Sequence, residues 1–316
     1  MKNRKKETVI MKRKVVLYNP KAGSGTCKEE SKVLEVLYEN TVYFDMTQIE
    51  SYVDFFASLD SSDEVILCGG DGTLHRFVND TNGVLIRNPL YYYATGTGND
   101  FVRDLDLPDF ADPTFRVDEY LCDLPRVTVN GRESLFLNGV GYGIDGYCCE
   151  VGDRLRLKRD TTVKDIKINY TMIAIKGLLF HYKPTNAVVT VDGVSRTYEN
   201  VWIAPTMHGR CYGGGMIPTP EQDRLGAKRT LSVMVLHGAG KLKTLLMFPS
   251  IFKGKHVRYK NHVDILTGHH IQVEFDRPSP LQIDGETVLD VRSFEARSAV
   301  AAHKTKVWEM SECTEC

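Results

Sequence analysis

Past a charged start, short apolar runs alternate with amphipathic stretches. Val15-Val16-Leu17-Tyr18 predicts a strand, and residues 28–39, with Val33, Leu34, Val36 and Leu37 on one face, predict a helix. Thr41 to Phe44 follows as a strand, Tyr52 to Leu59 as a helix, Val65-Ile66-Leu67-Cys68 as a strand, Leu74 to Asn79 as a helix and Leu90 to Ala94 as a fourth strand. This alternation is the signature of a parallel sheet wrapped by helices, so an α/β fold is expected here. Each predicted strand runs into a polar or glycine-rich loop, at the end where open α/β sheets bind ligands.

Beyond about residue 124 strand-like runs dominate: Val127-Thr128-Val129, Leu135-Phe136-Leu137, Val188 to Val191, Val201-Trp202-Ile203, Leu231 to Leu236 and Ile271 to Phe275. Asn130-Gly131, Asp192-Gly193 and Asp284-Gly285 are hairpin dipeptides, because a tight two-residue turn needs positive φ at both positions. A mostly antiparallel, sandwich-like second domain is predicted, interrupted by helical segments at Asp153 to Leu179 and Lys241 to Phe252. The expected boundaries are 14–124 for the α/β domain and 125–294 for the β-rich one, with 295–310 as a return strand on the first. At 316 residues the chain exceeds the ~250 that one core usually serves, which favours two domains.

Charge narrows the partners. With 40 basic and 41 acidic side chains, no global field draws the molecule to nucleic acid, and none is expected as a partner. The first residues are the local exception: Lys2, Arg4, Lys5, Lys6, Lys12, Arg13 and Lys14 face only Glu7, as a solvated tail or a contact to anionic headgroups. No run approaches the ~20 apolar residues of a membrane span, and the start lacks the apolar core of a leader peptide. A cytoplasmic protein with reduced cysteines is expected, and the Cys313, Cys316 pair lacks the second pair of ligands a structural zinc needs.

The candidate chemistry lies in the loops. Gly69-Gly70-Asp71-Gly72-Thr73 stands between a strand and a helix, where glycines admit a phosphate and a helix N-terminus offers free N–H groups. Asp71 would repel a bare phosphate, so it suits a magnesium ion or ordered water in between; the plain alternative is a turn with Asp71 as helix cap. Two more loops follow strands in the same way: Asn19-Pro20-Lys21-Ala22-Gly23-Ser24-Gly25 and Thr95-Gly96-Thr97-Gly98-Asn99-Asp100. Three such loops at one sheet edge predict a nucleotide cradle. No G-x-x-x-x-G-K-[ST] or protein-kinase motif set is present, which excludes those nucleotide-binding lineages.

In order and spacing these loops resemble those of the bacterial diacylglycerol kinase and lipid kinase family. The likeness continues through Gly141-Tyr142-Gly143-Ile144-Asp145, Gly213-Gly214-Gly215-Met216, Phe252-Lys253-Gly254-Lys255-His256 and Asp284-Gly285-Glu286, about residues 14 to 290. The resemblance implies a phosphofructokinase-like nucleotide domain with a β-rich lipid-side domain, and an ATP- and Mg2+-dependent transfer to a lipid hydroxyl, diacylglycerol first. It implies ATP contacts from Gly69 to Thr73, Asn19, Thr97 and Thr47, with Glu286 as proton acceptor. A carboxylate beyond a rigid Asp-Gly turn can be held over a nucleotide from the other domain, although an ordinary surface hairpin reads the same way. Asp145 is a helper of that base or a helix cap.

One departure stands out. The family's acidic magnesium loop after the glycine triplet reads Pro220-Glu221-Gln222-Asp223-Arg224-Leu225-Gly226 here, leaving Asp223 as its one clear candidate ligand. The expected partners are a membrane lipid substrate reached by transient peripheral contact with a membrane, and a second copy of the chain as a homodimer. Sphingoid bases, ceramide or phosphatidylglycerol stay open as acceptors. An NAD kinase, which shares the Gly-Gly-Asp-Gly-Thr loop, and a non-catalytic nucleotide or lipid sensor remain as alternatives.

Overall fold

The computed structural model describes residues 12–96, 98–107, 112–157 and 170–299. The first five strands, β1 (Lys14–Tyr18), β2 (Thr41–Asp45), β3 (Glu64–Gly69), β4 (Leu90–Ala94) and β5 (Phe115–Arg116), form one sheet in the order β2-β1-β3-β4-β5. The first four run parallel and β5 is antiparallel. The helices of this half are α1 (Cys27–Ser31), α2 (Val33–Leu37), α3 (Tyr52–Ala57), α4 (Asp71–Asp80), α5 (Asp100–Leu105) and α6 (Asp118–Leu121). The sheet is covered on both faces: Val15, Leu17, Val65 and Leu67 pack with Leu74, Phe77 and Phe101, while Val16, Tyr18, Ile66 and Cys68 pack with Cys27 and Leu34. Burial on both faces is why these strands read as unbroken apolar runs.

Two expectations need correction here. The single helix over 28–39 is two short ones meeting at Lys32, with Leu34 buried and Val36 86% exposed, so its apolar face is narrower than the sequence suggests. The helix placed at Leu74 to Asn79 begins at Asp71, so Asp71, Gly72 and Thr73 form its first turn.

The second half is built on a ten-stranded sheet. Its elements are β6 (Arg126–Val129), β7 (Arg132–Leu135), β8 (Gly139–Tyr142), α7 (Ile144–Leu157), α8 (Tyr170–Lys176), a π-helical turn (Gly177–His181), β9 (Thr185–Val191) and β10 (Val194–Val201). The chain continues through β11 (Thr206–Met207), β12 (Leu231–Leu236), α9 (Lys241–Met247), β13 (Val263–Gly268), β14 (His270–Ile283) and β15 (Glu286–Arg297). The strand order is β13-β12-β11-β8-β14-β15-β6-β7, with β9 branching from β14 and carrying β10. Long β14 lines this core with one face: Ile271, Val273 and Phe275 are wholly buried, and Phe275 stacks on Tyr142 at 3.7 Å between ring centres.

The three dipeptides make the three tight hairpins expected of them. Asn130 and Gly131 have φ of 49° and 75°, Asp192 and Gly193 have 47° and 84°, and Asp284 and Gly285 have 47° and 97°. They join β6 to β7, β9 to β10 and β14 to β15. The strand expected at Leu135 to Leu137 instead ends at Leu135, because the Leu137 N–H leaves the sheet to bond the Asp284 carboxylate. Of the return strand expected at 295–310, residues 295–297 belong to β15 and pair with β6, while 300–310 lie outside the described residues. The helical segment expected from Asp153 to Leu179 begins at Ile144 and is described as α7, α8 and the π-helical turn. No helix among the described residues is long and apolar enough to cross a membrane.

Candidate active site at the junction of the two sheets

The loops leaving β1, β3 and β4 meet at one edge of the smaller sheet. Gly69 lies so close to Thr73 that a Cβ there would come within 2.3 Å of the threonine hydroxyl, and a Cβ on Gly96 would meet the Gly70 Cα at 2.6 Å. These contacts, which only glycine permits, press the β3 and β4 loops together. Asn19 joins them by donating its side-chain amide to Thr73 Oγ1 at 3.3 Å, and its own Oδ1 takes the Lys21 N–H. Pro20, Gly23, Ser24 and Gly25 run through the turn beyond, where Ala22–Gly25 is 3-10 helical. Thr97 lies outside the described residues.

Asp71 is the clasp of this edge. Its two carboxylate oxygens accept the backbone N–H groups of Asp100 at 2.9 Å and Phe101 at 3.0 Å, capping α5 from the first turn of α4. Burial raises its pKa, and the nearby Asp284 charge adds to that against the two amides that lower it. Both oxygens are therefore turned to backbone amides, the capping arrangement, rather than presented together to a cation. Gly72 opens onto free space, and Asn99, left-handed at φ 46°, buries its Oδ1 without a hydrogen-bond partner. Gly98 sits beside the Asp71 carboxylate.

Asp100 faces the other half of the molecule. Its carboxylate accepts the Gly214 N–H at 2.7 Å and the Arg103 guanidinium at 3.0 Å, which ties the Gly213-Gly214-Gly215 turn to α5. Burial, with Asp71 close by, pushes its pKa up to about 6.

A further link between the sheets runs through Asp284, whose hairpin motif did not announce an anchoring role. Asp284, its side chain wholly buried, accepts four hydrogen bonds: from Leu137 N–H at 2.6 Å, Asn138 N–H at 2.8 Å, Gly139 N–H at 3.0 Å and His75 Nδ1–H at 2.9 Å. His75 lies on α4, one turn beyond the glycine loop. Burial alone would raise the Asp284 pKa, but the histidine and the amides hold it below the usual carboxylate range. Burial likewise opposes charge on His75, and Asp284 together with Glu286 overcomes this and raises its pKa.

Glu286 is the exposed residue that starts β15, two positions past this anchor, and its charge reaches His75. The turn is braced once more by Gln282, whose Oε1 accepts the Gly285 N–H at 2.6 Å. The Gln282 amide lies beside Asp145, which heads α7 and takes the Tyr212 hydroxyl at 3.1 Å. Burial lifts the Asp145 pKa to about 6, and its Oδ1 is buried without a hydrogen-bond partner. Gly141 is required opposite, since a Cβ there would lie 1.6 Å from the Asp145 carboxylate. Asp145 thus reaches Glu286 only through Gln282 and the turn.

A second junction runs through Asp104 on α5. It accepts Arg210 N–H at 2.7 Å and Arg224 Nε at 2.5 Å, and the buried Arg224 guanidinium covers the Phe101 ring and donates to Asn138 Oδ1 at 3.0 Å. His208 is packed in the same seam, donating Nδ1–H to the Leu137 carbonyl at 3.0 Å, and burial drops its pKa to about 4.

Two predicted site residues are placed otherwise. Thr47 spends its hydroxyl on Asp45 Oδ1 at 2.7 Å in the turn after β2. Asp223 is exposed and accepts the Leu225 N–H at 3.0 Å, the hydrogen bond of a short side-chain turn. Among the described residues no group of three or more His, Cys, Asp or Glu side chains could hold a metal ion, and Asp223 stands in no such group.

Both parts of the chain resemble known proteins. Residues 13–123 match the diacylglycerol kinase catalytic domain, and residues 138–297 match the YegS C-terminal NAD kinase beta sandwich-like domain. A diacylglycerol kinase of Mycobacterium tuberculosis is 28% identical over 203 residues, a stretch spanning 62% of this chain and 62% of that protein. The putative lipid kinase YtlR of Bacillus subtilis is 23% identical over 231 residues, 70% of this chain and 73% of the relative. The crystal structure of a putative diacylglycerol kinase from Bacillus anthracis superimposes with a TM-score of 0.59 at 19% identity, covering 92% of this chain and 98% of that one. Both halves of the molecule are matched, and the chain belongs to the family of bacterial diacylglycerol and lipid kinases.

Proposed function

We propose that this protein transfers the terminal phosphoryl group of ATP to a lipid hydroxyl, with diacylglycerol as the acceptor and phosphatidic acid as the product. The observation that carries the reading is the Asp284 anchor. It fastens the Asp284-Gly285-Glu286 turn of the larger sheet onto α4, the helix whose first turn belongs to the glycine-rich edge. An exposed carboxylate is thereby held beside a ready anion site.

Phosphoryl transfer depends on positioning and charge neutralisation, plus one group to receive the alcohol's proton. The free N–H groups of α4 and the close-packed glycines at 70 and 96 would receive the phosphates, with Asn19 and Thr73 at their flank. Asp71 and Asp100 act as positioning residues that hold the β4 loop and the Gly214 turn in register. Glu286 takes the acceptor proton as the new P–O bond forms and the bond to the departing ADP breaks. Magnesium would neutralise charge while bound to the nucleotide's own phosphates.

The test is purified protein with labelled ATP, magnesium and a total lipid extract, followed by identification of the lipid that gains phosphate. Diacylglycerol is expected; label on a sphingoid base, ceramide or phosphatidylglycerol would move the acceptor within the same chemistry. Glu286→Gln should lower turnover by roughly 10²- to 10⁴-fold while nucleotide binding persists. Full turnover in that variant would end the role given to Glu286.

A further inference from the structure

Surface helices normally turn polar residues to water. On α9 the outward face is apolar instead: Leu242 and Leu246, one turn apart, are 73% and 78% exposed, while Thr244 and Met247 face the core. Phe180, 73% exposed, stands on the π-helical turn alongside. The two segments are fastened together where Lys241 Nζ donates to the Leu179 carbonyl at 3.1 Å. Beneath them Leu178, Met247, Phe248 and Ile251 pack in one cluster with Trp202, so both segments are seated on the core.

The charge of these segments is one-sided. The whole chain is balanced at 40 basic to 41 acidic residues, yet the stretch from 224 to 263, which contains α9, has nine Lys and Arg and no Asp or Glu. The stretch from 170 to 191, which contains α8 and the π-helical turn, also has no Asp or Glu. Lys176, Lys183, Lys241, Lys243 and Lys253 are all exposed. Apolar side chains accompanied by uncompensated lysines fit a surface that is apolar below and negatively charged on top. A second copy of this face would bring lysines against lysines, whereas a bilayer supplies the missing phosphates.

The same wall runs on to the candidate site. Past α9 the chain reaches Ile251, whose carbonyl accepts the Ile217 N–H at 3.1 Å, three residues beyond the Gly214 that Asp100 holds. We propose that Phe180, Leu242 and Leu246, with the lysines of their segments, form the surface on which this protein docks to an anionic lipid bilayer. The surface deepens the lipid-kinase reading and rests on it only for the benefit of a cleft brought close to its substrate.

The test uses the full chain in co-sedimentation with phosphatidylcholine vesicles, with or without one third phosphatidylglycerol, in the absence of ATP. Wild type should bind the anionic vesicles, and Leu242→Ser with Leu246→Ser should weaken that binding by ~10-fold or more. Lys243→Glu with Lys253→Glu should weaken it by ~10-fold, and added salt should erase most of the lysine effect. Melting temperatures should match wild type, because all four positions are exposed. Equal vesicle binding by a folded leucine double variant would overturn the proposal. So would a wild-type dimer that the leucine changes convert to a monomer without loss of vesicle binding. Because no ATP is present, a protein that bound these vesicles yet phosphorylated no lipid would sink the kinase reading and leave the docking surface standing.

Discussion

The two sheets meet the candidate site with different materials. The smaller one offers backbone: glycines at 69, 70 and 96 pressed together, the opening turn of α4, and an aspartate spent on capping α5. From the larger one come side chains, with Asp284 wholly buried as the anchor and Glu286 two residues on left exposed. A backbone cradle works through close approach, which is a property of local sequence. The side-chain contribution works through what has been brought next to it, since Asp284 finds its partners at His75 and at residues 137–139. The division suits the proposed reaction, in which one surface would grip a polyphosphate and the other would deliver a single proton acceptor.

Removing the anchor is the harshest way to break this comparison. Asp284→Ala leaves three amides and a buried imidazole without their acceptor and should cost about 3–5 kcal/mol in urea unfolding, with turnover lost alongside. An Asp284→Ala protein as stable as wild type would mean that the junction is not held there. Arg224→Ala tests the second seam, where it leaves the buried Asp104 carboxylate with Arg210 as its remaining cation, with an expected cost of about 3 kcal/mol. Arg224→Met should recover part of that loss, because it refills the space over Phe101.

The acidic groups sharpen the contrast through pH. Asp145 is lifted by burial from 3.8 to about 6, so its favourable contribution is complete below about pH 4 and is lost as the pH rises through 6. Asp145→Asn should flatten the stability curve across that interval, an effect of up to roughly 3 kcal/mol. Asp284 runs the opposite way: held below its ordinary value, it contributes above pH 4 or so and loses that contribution as the pH falls through the lowered value. A variant curve with the wild-type slope between pH 4 and 6 would remove Asp145 from the account.

Smaller effects are expected at the cradle and at the exposed loop. Gly96→Ala must part the two loops and should cost about 1–3 kcal/mol, seen chiefly as weaker nucleotide binding in calorimetry. Asp223→Asn should change stability by less than about 0.5 kcal/mol and leave the magnesium dependence of activity unaltered, since that residue only closes a surface turn. A shifted magnesium dependence would restore Asp223 as a ligand.

Much of the fold was legible in the order of residues. The parallel strands showed as unbroken apolar runs because both of their faces are buried, and the three hairpins showed as Asn-Gly or Asp-Gly pairs because few other residues tolerate positive φ. The glycine loops were visible for the same local reason. The strand read through Phe136 and Leu137 was mistaken because a buried carboxylate 147 positions from Leu137 claims its amide. Asp71 looked suited to a cation, and its caps on Asp100 and Phe101 depend on an approach between loops that no spacing records.

Taken alone, the sequence determined the turns, the alternation of strands and helices and the glycine-rich edge, because each depends on backbone preferences a few residues long. The tertiary structure alone decided that Asp284 is an anchor for His75 and the amides of residues 137–139, that Arg224 pairs with Asp104, and that α9 shows leucines to the outside. Burial and partnership are set by residues distant in the chain, and a side chain's charge state and role follow from those surroundings.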